Sequence, residues 1–193
     1  MNLLHIDSSV LGDASASRAL SAAITERLRA EHPGLKISYR DLAAQSLPHF
    51  TPALAESHPC VRHNAEMLDE FLAADVVVVG APMYNFSIPS QLKAWIDRIL
   101  VAGKTFRYGE NGPEGLAAGK RVIVASSRGG IYSDGPGKTM DFQEAYLRHV
   151  FGFIGIRDVE FVRAEGLNLG AGQREAALRD AHARIETGLR EAA

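Results

Sequence analysis

The segment Val76-Val77-Val78-Val79-Gly80 is the part of the sequence that decides the fold. Its four consecutive β-branched residues are not interrupted by polar ones, as they would be in a strand with one solvated face. An uninterrupted apolar strand is typical of a parallel sheet that is covered by helices on both faces. The segment therefore predicts an α/β protein.

Strand and helix patterns alternate on both sides of this segment. Further strands are predicted at residues 3–6, 36–39, 121–126 and 159–162. Helices are predicted after the first strand, at about 62–72, from about 90 to 100, at about 141–150 and near the C-terminus. Pro48, Pro52 and Pro59 are expected to interrupt any helix in residues 42–59. A βαβ series of this kind predicts a doubly wound, five-stranded parallel sheet. No composition shift or repeat divides residues 1–193, so we expect a single domain.

Charge and composition exclude several classes of protein. The chain has 21 Lys and Arg against 23 Asp and Glu, for a net charge of −2, and it has no basic runs, so we expect no nucleic-acid partner. The apolar runs are far shorter than the roughly 18 residues of a spanning helix, and no signal peptide pattern begins the chain, so we expect no membrane association. The single cysteine, Cys60, excludes an internal disulfide and favours the cytoplasm.

The loop after the first strand is a candidate anion site. Its hydroxyl groups and small residues precede a helix, whose free N–H groups and dipole favour a phosphate. The competing interpretation is that Ser15 or Ser17 only caps the helix.

The loops after the third and fourth strands are suited to a planar ring. Residues 83–86 place Met, Tyr and Phe around an Asn, so apolar side chains could cover a ring while the amide reads its edge. Gly129 and Gly130 would let the backbone approach the same ring. The alternative for residues 83–86 is local packing within the loop, and the alternative for Gly129 and Gly130 is an ordinary turn.

Signatures of other sites are missing or incomplete. The sequence has no G-x-G-x-x-G fingerprint, no complete Walker A motif and no G-x-S-x-G elbow. The stretch His58-Pro59-Cys60-Val61-Arg62-His63 offers only three possible ligands, fewer than a structural zinc site needs. We therefore expect no metal site.

One phosphate site and two ring-contacting loops fit flavin mononucleotide (FMN), and the sequence resembles the FMN-dependent NADH azoreductases, which also act as quinone reductases. The resemblance covers the whole chain. It is carried by Ser8-Ser9, Ser15-Ala16-Ser17, Ala81-Pro82-Met83-Tyr84-Asn85-Phe86, Phe106-Arg107-Tyr108-Gly109-Glu110-Asn111-Gly112-Pro113-Glu114-Gly115-Leu116 and Ser127-Arg128-Gly129-Gly130.

The resemblance implies a flavodoxin-like sheet of order 2-1-3-4-5 and a role for each matched residue. The phosphate would be held by Ser9, Ser15, Ala16 and Ser17. The ring would be lined by Met83, Tyr84, Asn85 and Phe86, and its pyrimidine side by Ser127, Arg128, Gly129 and Gly130. Arg128 could instead be a solvated surface charge.

The resemblance also implies a homodimer with the site at its interface, where Phe106 and Tyr108 would wall the substrate pocket. Phe151 is a weaker candidate, for which core packing is the alternative. The chain departs from the family at Ala16, where Gln is common, and in residues 51–62, which are short.

The implied reaction has two steps. NADH or NADPH delivers hydride to the flavin N5, and a quinone or azo compound is then reduced on the same face. No side chain is predicted as an essential acid or base. The main alternative is a non-enzymatic flavodoxin-type electron carrier, against which the small net charge and the segment 103–119 both argue. A nucleotide hydrolase on the same sheet is the least favoured class.

Overall fold

The computed structural model describes residues 1–50 and 59–189, and the side chains of residues 1–50 and 63–189. Its strands are β1 (Asn2–Asp7), β2 (Lys36–Asp41), β3 (Val76–Pro82), β4 (Phe106–Gly109), β5 (Gly112–Gly115), β6 (Arg121–Ser127) and β7 (Asp158–Ala164). Its α-helices are α1 (Ala16–Glu31), α2 (Pro59–Ala73), α3 (Ser90–Ile99), α4 (Gln143–Phe153) and α5 (Ala171–Thr187).

Five of these strands form a parallel sheet in the order β2-β1-β3-β6-β7. Without the β4–β5 hairpin, this is the order 2-1-3-4-5, so the predicted sheet is confirmed. All seven residues of β3 are buried, as its uninterrupted apolar sequence predicts. Parallel strands place their carboxyl ends at one edge, and the loops after β1, β3, β6 and β7 therefore meet there.

Successive side chains of each strand enter two separate cores, because strand side chains alternate between faces. Leu4, Val77 and Val79 pack with apolar residues of α2, α3 and α4. Val76 and Val78 pack on the other face with apolar residues of α1 and α5. Both helices of this second face begin at the carboxyl edge of the sheet.

Helix starts differ slightly from the sequence prediction, for local reasons. Pro59 begins α2 instead of ending the irregular stretch, because proline is tolerated in a first helical turn. Helix α4 begins at Gln143 because the carboxylate of Asp141 accepts hydrogen bonds from the N–H groups of Gln143 and Glu144, at 2.9 and 3.0 Å. A short 3₁₀ segment, Gly135–Met140, was not predicted.

The β4–β5 hairpin forms within residues 103–119 and packs against the C-terminal end of α4. The N–H of Ala117 donates to the carbonyl of Ile154 at 2.8 Å, and the rings of Phe106 and Phe153 lie 4.8 Å apart. The chain then enters β6 at its amino end. Within one chain the hairpin therefore lies at the edge where the strands begin, away from the carboxyl edge of the same sheet.

No helix in the described part of the chain has the length and apolar composition needed to cross a membrane.

Candidate functional site

The loop after β1 ends in a capped helix. Ser15 Oγ accepts a hydrogen bond from the N–H of Arg18 at 3.3 Å and lies 3.1 Å from Ser17 Oγ. Both serines are buried. This cap leaves the N–H groups of Ala16 and Ser17 without intrahelical acceptors at the positive end of α1. Ser15 thus caps the helix and also stands at a place that favours an anion.

Arg18 fixes the position of this loop. Its Nε and Nη2 donate to the carbonyl of Ser9 at 3.2 and 2.8 Å, and its two Nη atoms each donate to Asp41 at 2.7 Å. The hydrogen bond from Arg18 holds the pKa of Asp41 below its ordinary value. The charge of Arg18 is therefore used within the protein to hold the loop.

Residues 84–87 form a tight turn with unusual backbone geometry. Tyr84 and Ser87 exchange two backbone hydrogen bonds, at 2.9 and 3.1 Å, and the φ angles of Asn85 and Phe86 are +49° and +71°. Asn tolerates positive φ, but for most other non-glycine residues, including Phe, this backbone conformation costs roughly 1–2 kcal/mol. An exposed aromatic residue held in such a conformation is typical of a functional site.

Tyr84 joins this turn to the first loop. Its hydroxyl lies 3.2 Å from Ser9 Oγ and accepts a hydrogen bond from the N–H of Val10, also at 3.2 Å. The N–H of Met83 donates to the carbonyl of Ser127 at 2.8 Å. The loop after β3 is thus hydrogen-bonded to the loop after β1 and to the last residue of β6.

The loops after β6 and β7 pair through their backbones. The carbonyls of Gly129 and Gly130 accept hydrogen bonds from Asn168 and Gly166 at 3.0 and 2.9 Å. The N–H groups of both glycines have no acceptor among the described residues. A Cβ at Gly129 would lie 2.5 Å from Asn168 Nδ2, so any larger residue would displace the side chain of Asn168. The pairing leaves two backbone donors available at the site.

Arg128 is not the solvated surface charge that was the alternative to its place at the site. Its side chain is fully buried and donates to Ser126 Oγ and to carboxylates of Asp141, Glu144 and Glu165, at 2.5 to 3.0 Å. Its charge is therefore balanced within the protein. The sequence could not show this, because the three carboxylates come from two other segments of the fold.

A cavity of about 210 Å³ opens where these loops meet. Of the predicted cofactor residues, it is lined by Ser9, Ser15, Ala16, Met83, Tyr84, Ser127, Arg128 and Gly129. Four others do not line it: Ser17 is buried beside Ser15, Asn85 lines a neighbouring hollow of about 490 Å³, and Phe86 and Gly130 lie outside both.

Six lining residues were not predicted: Leu11, Ala14, Pro82, Leu167, Asn168 and Arg174. Three of them come from the loop after β7 and the first turn of α5. The position of the fifth predicted strand could have indicated this loop, because its carboxyl end lies at the same sheet edge as the others.

The predicted substrate-pocket residues are not brought to this cavity within one chain. Phe106 and Tyr108 lie on the β4–β5 hairpin, where Tyr108 is 76% exposed. The assignment of Phe151 to the pocket is wrong, because its side chain is completely buried in the core beneath α4.

The histidine and cysteine stretch at residues 58–63 lies largely outside the described side chains. Elsewhere in the described residues, no three or more His, Cys, Asp and Glu side chains are grouped to hold a metal. The absence of a metal site stays a prediction.

Known proteins resemble this chain along its length. A family model described as flavodoxin-like fold matches residues 1–189. An FMN-dependent NADH:quinone oxidoreductase of Sinorhizobium fredii is 61% identical, and one of Rhizobium meliloti is 59% identical, each match covering 97% of both chains.

Solved structures agree with this result. An azoreductase from Bacillus anthracis str. Sterne has a TM-score of 0.86 at 28% identity, covering 97% of this chain and all of that one. An FMN-dependent NADH-azoreductase from Bacillus anthracis str. Ames Ancestor, solved in complex with FMN, has a TM-score of 0.85 at 25% identity, covering 97% and 99%. The chain belongs to the flavodoxin-like family that includes the FMN-dependent NADH:quinone oxidoreductases.

Proposed function

We propose that the protein is an FMN-dependent oxidoreductase that uses NADH or NADPH to reduce quinones and azo compounds. The observation that carries this proposal is the cavity at the carboxyl edge, which joins a helix N-terminus, a strained aromatic turn and a loop with free N–H donors. The relatives at 59 and 61% identity are named as such enzymes, which favours an enzyme over an electron carrier.

The residues at the cavity suit FMN. A phosphate needs several donors, and the first turn of α1 supplies N–H groups beside the hydroxyls of Ser9 and Ser15. A flavin ring needs apolar cover, which Met83 and Tyr84 supply from the cavity wall. The electron-rich pyrimidine edge needs donors, and the N–H groups of Gly129 and Gly130 are free for this purpose.

FMN held by these residues would supply two-step hydride transfer, through its N5, from the nicotinamide to the acceptor. The protein's own contribution is to bind and orient. The turn at residues 84–87 is held rigid by its paired backbone and by the bond of Tyr84 to the first loop. The N–H group of Gly129 at the cavity, with that of the adjacent Gly130, would donate to the pyrimidine side of a flavin and favour negative charge there. No side chain is required as an acid or base.

The hairpin is proposed to complete the substrate pocket of a second copy. Tyr108 is exposed, and within its own chain it lies at the opposite edge of the sheet. The loops after β1, β3, β6 and β7 also carry large exposed apolar side chains, which a partner would cover: Val10, Leu11, Phe86, Ile131, Phe142 and Leu169. We infer a homodimer in which Phe106 and Tyr108 reach the partner's cavity. Substitution of Tyr108 should then change the KM for quinones more than the flavin content.

The first test is an absorbance spectrum of the protein with FMN restored. NADH is then added anaerobically, followed by a benzoquinone. Bleaching by NADH and recovery with quinone is the expected result. Bound flavin that NADH does not reduce would favour the electron carrier, and failure to bind FMN would overturn both.

A further inference from the structure

We propose that Arg174 binds the phosphate of FMN and supplies the positive charge that the phosphate loop itself lacks. This inference rests on the proposed function. Arg174 lies in the first turn of α5 and lines the same cavity as Ser9, Ser15 and Ala16. No residue of the loop after β7 or of α5 was expected at the site from the sequence.

The fold explains why Arg174 reaches the phosphate loop. Helices α1 and α5 cover the same face of the sheet, where Leu20 and Ile24 of α1 share a core with Ala181 and Ile185 of α5. Both helices follow strands of one parallel sheet, so both begin at its carboxyl edge. Their first turns are neighbours, although about 155 residues separate them in sequence.

The charges at the cavity single out Arg174. A phosphate monoester carries about −1.5 to −2 charges at pH 7, so a cationic partner strengthens its binding. Arg128 also lines the cavity, but three carboxylates surround its guanidinium. Arg18 is paired with Asp41 and donates to Ser9. Among the described residues, none pairs with the guanidinium of Arg174, which is half-buried.

The phosphate loop has little charge of its own to offer. The residues that line the cavity from this loop are all uncharged: Ser9, Leu11, Ala14, Ser15 and Ala16. A longer polar side chain at position 16 could donate to the phosphate, but alanine cannot. A guanidinium reaching the same place from α5 supplies both the charge and the missing donors.

The test compares two flavins that differ only in the phosphate. Dissociation constants of FMN and riboflavin are measured by flavin fluorescence for the wild-type protein, Arg174→Ala and Arg174→Lys. The matched control is Arg179→Ala, which removes an exposed arginine from the same helix, where it pairs only with exposed Glu175 at 3.9 Å. Thermal unfolding of each apoprotein reports whether the fold is kept.

We expect Arg174→Ala to raise the Kd of FMN on the order of tenfold, with riboflavin binding unchanged. Arg174→Lys should recover part of the loss, and added salt should reduce the difference between wild type and Arg174→Ala. Arg179→Ala should bind both flavins as wild type does.

Three results would overturn the inference in different ways. Equal FMN binding by wild type and Arg174→Ala would show that Arg174 does not contact the phosphate. Equal weakening of FMN and riboflavin would place Arg174 at the ring or in the fold instead. If the wild-type protein bound neither flavin, the proposed function itself would fail.

Discussion

The guanidinium of Arg128 and the carboxylate of Glu165 meet at 3.0 Å beneath the candidate site, although 37 residues separate them. Glu165 also accepts hydrogen bonds from the N–H groups of Tyr132 and Ser133. This pair therefore ties the loop after β6 to the loop after β7. The interior of the protein, not a ligand, holds the backbone donors of Gly129 and Gly130 in place.

Replacing Arg128 with Met should lower the free energy of unfolding by about 3–5 kcal/mol, because the buried carboxylate of Glu144 and the partly buried carboxylates of Asp141 and Glu165 each lose a cationic partner. Urea unfolding followed by circular dichroism measures this. Arg107→Met is the matched control, since Arg107 pairs with Glu114 on the surface and its loss should cost less than about 1 kcal/mol. Equal effects of the two substitutions would contradict the role given to Arg128.

The stability contributed by Glu165 should depend on pH. Burial raises its pKa, but hydrogen bonds from Ser133 and Tyr132 and the charge of Arg128 outweigh burial and hold the pKa below the ordinary value of 4.5. Between the pKa of Glu165 in the folded protein and its pKa in the unfolded chain, the unfolded chain binds the proton more readily than the folded protein does. The contribution is therefore complete above about pH 4.5 and is lost as the pH falls through the depressed folded pKa.

Glu165→Gln should lack this part of the acid destabilisation. Urea midpoints measured from pH 7 down to pH 3 should fall less steeply for Glu165→Gln than for the wild type. Glu175→Gln, at an exposed position on α5, should keep the wild-type slope. Parallel curves for wild type and Glu165→Gln would argue against a depressed pKa.

Removing the hydroxyl of Tyr84 should weaken the connection between the loops after β1 and β3. We expect Tyr84→Phe to weaken FMN binding by about 2- to 10-fold, because it removes hydrogen bonds to Ser9 and Val10. Fluorescence titration of the apoprotein gives this number. Tyr132→Phe is the control, because the hydroxyl of Tyr132 bonds to no described residue, and this variant should bind FMN as the wild type does. Comparable losses of FMN affinity in both variants would mean that the hydrogen bonds of Tyr84 to the first loop are unimportant for binding.

The strain at Phe86 can be measured with two substitutions that both remove the ring. Glycine adopts φ near the observed +71° without cost and alanine does not. Phe86→Gly should therefore be more stable than Phe86→Ala by about 1 kcal/mol. Both variants should lose quinone reductase activity if the ring covers the site. An alanine variant as stable as the glycine variant would mean that the backbone relaxes out of the positive-φ turn.

The position of the β4–β5 hairpin against the end of α4 depends on close backbone contact between Gly115 and Gly155. A Cβ at Gly115 would lie 2.1 Å from the backbone nitrogen of Gly155, so Gly115→Ala must displace the hairpin and should cost about 1–3 kcal/mol. The KM for quinone should change and the Kd of FMN should not. Gly152→Ala, with nothing near its Cβ and a position inside α4, should instead be neutral or stabilising by up to about 1 kcal/mol.

Local sequence was sufficient to predict the sheet and most of the cofactor loops. The apolar run at β3 can be satisfied only by burial on both faces, and strands alternating with helices leave a parallel sheet as the solution. The serines before a helix and the aromatic residues after β3 are signals that extend over only a few residues, so they can be recognised without knowledge of distant contacts. For this reason eight of the predicted cofactor residues line the cavity.

The tertiary structure decided what depends on distant segments. Arg128 became a buried cation because Asp141, Glu144 and Glu165 come together around it, and Phe151 entered the core because α4 turns that side towards the sheet. The hairpin lies at the amino edge of the sheet, and Arg174 lines the same cavity as Ala16. Both positions follow from the way the helices run back across a parallel sheet between successive strands. The sequence by itself determined which elements form, because their signals are local and periodic. Only packing decided which charges are neutralised and which remain free, because that depends on neighbours distant in the chain.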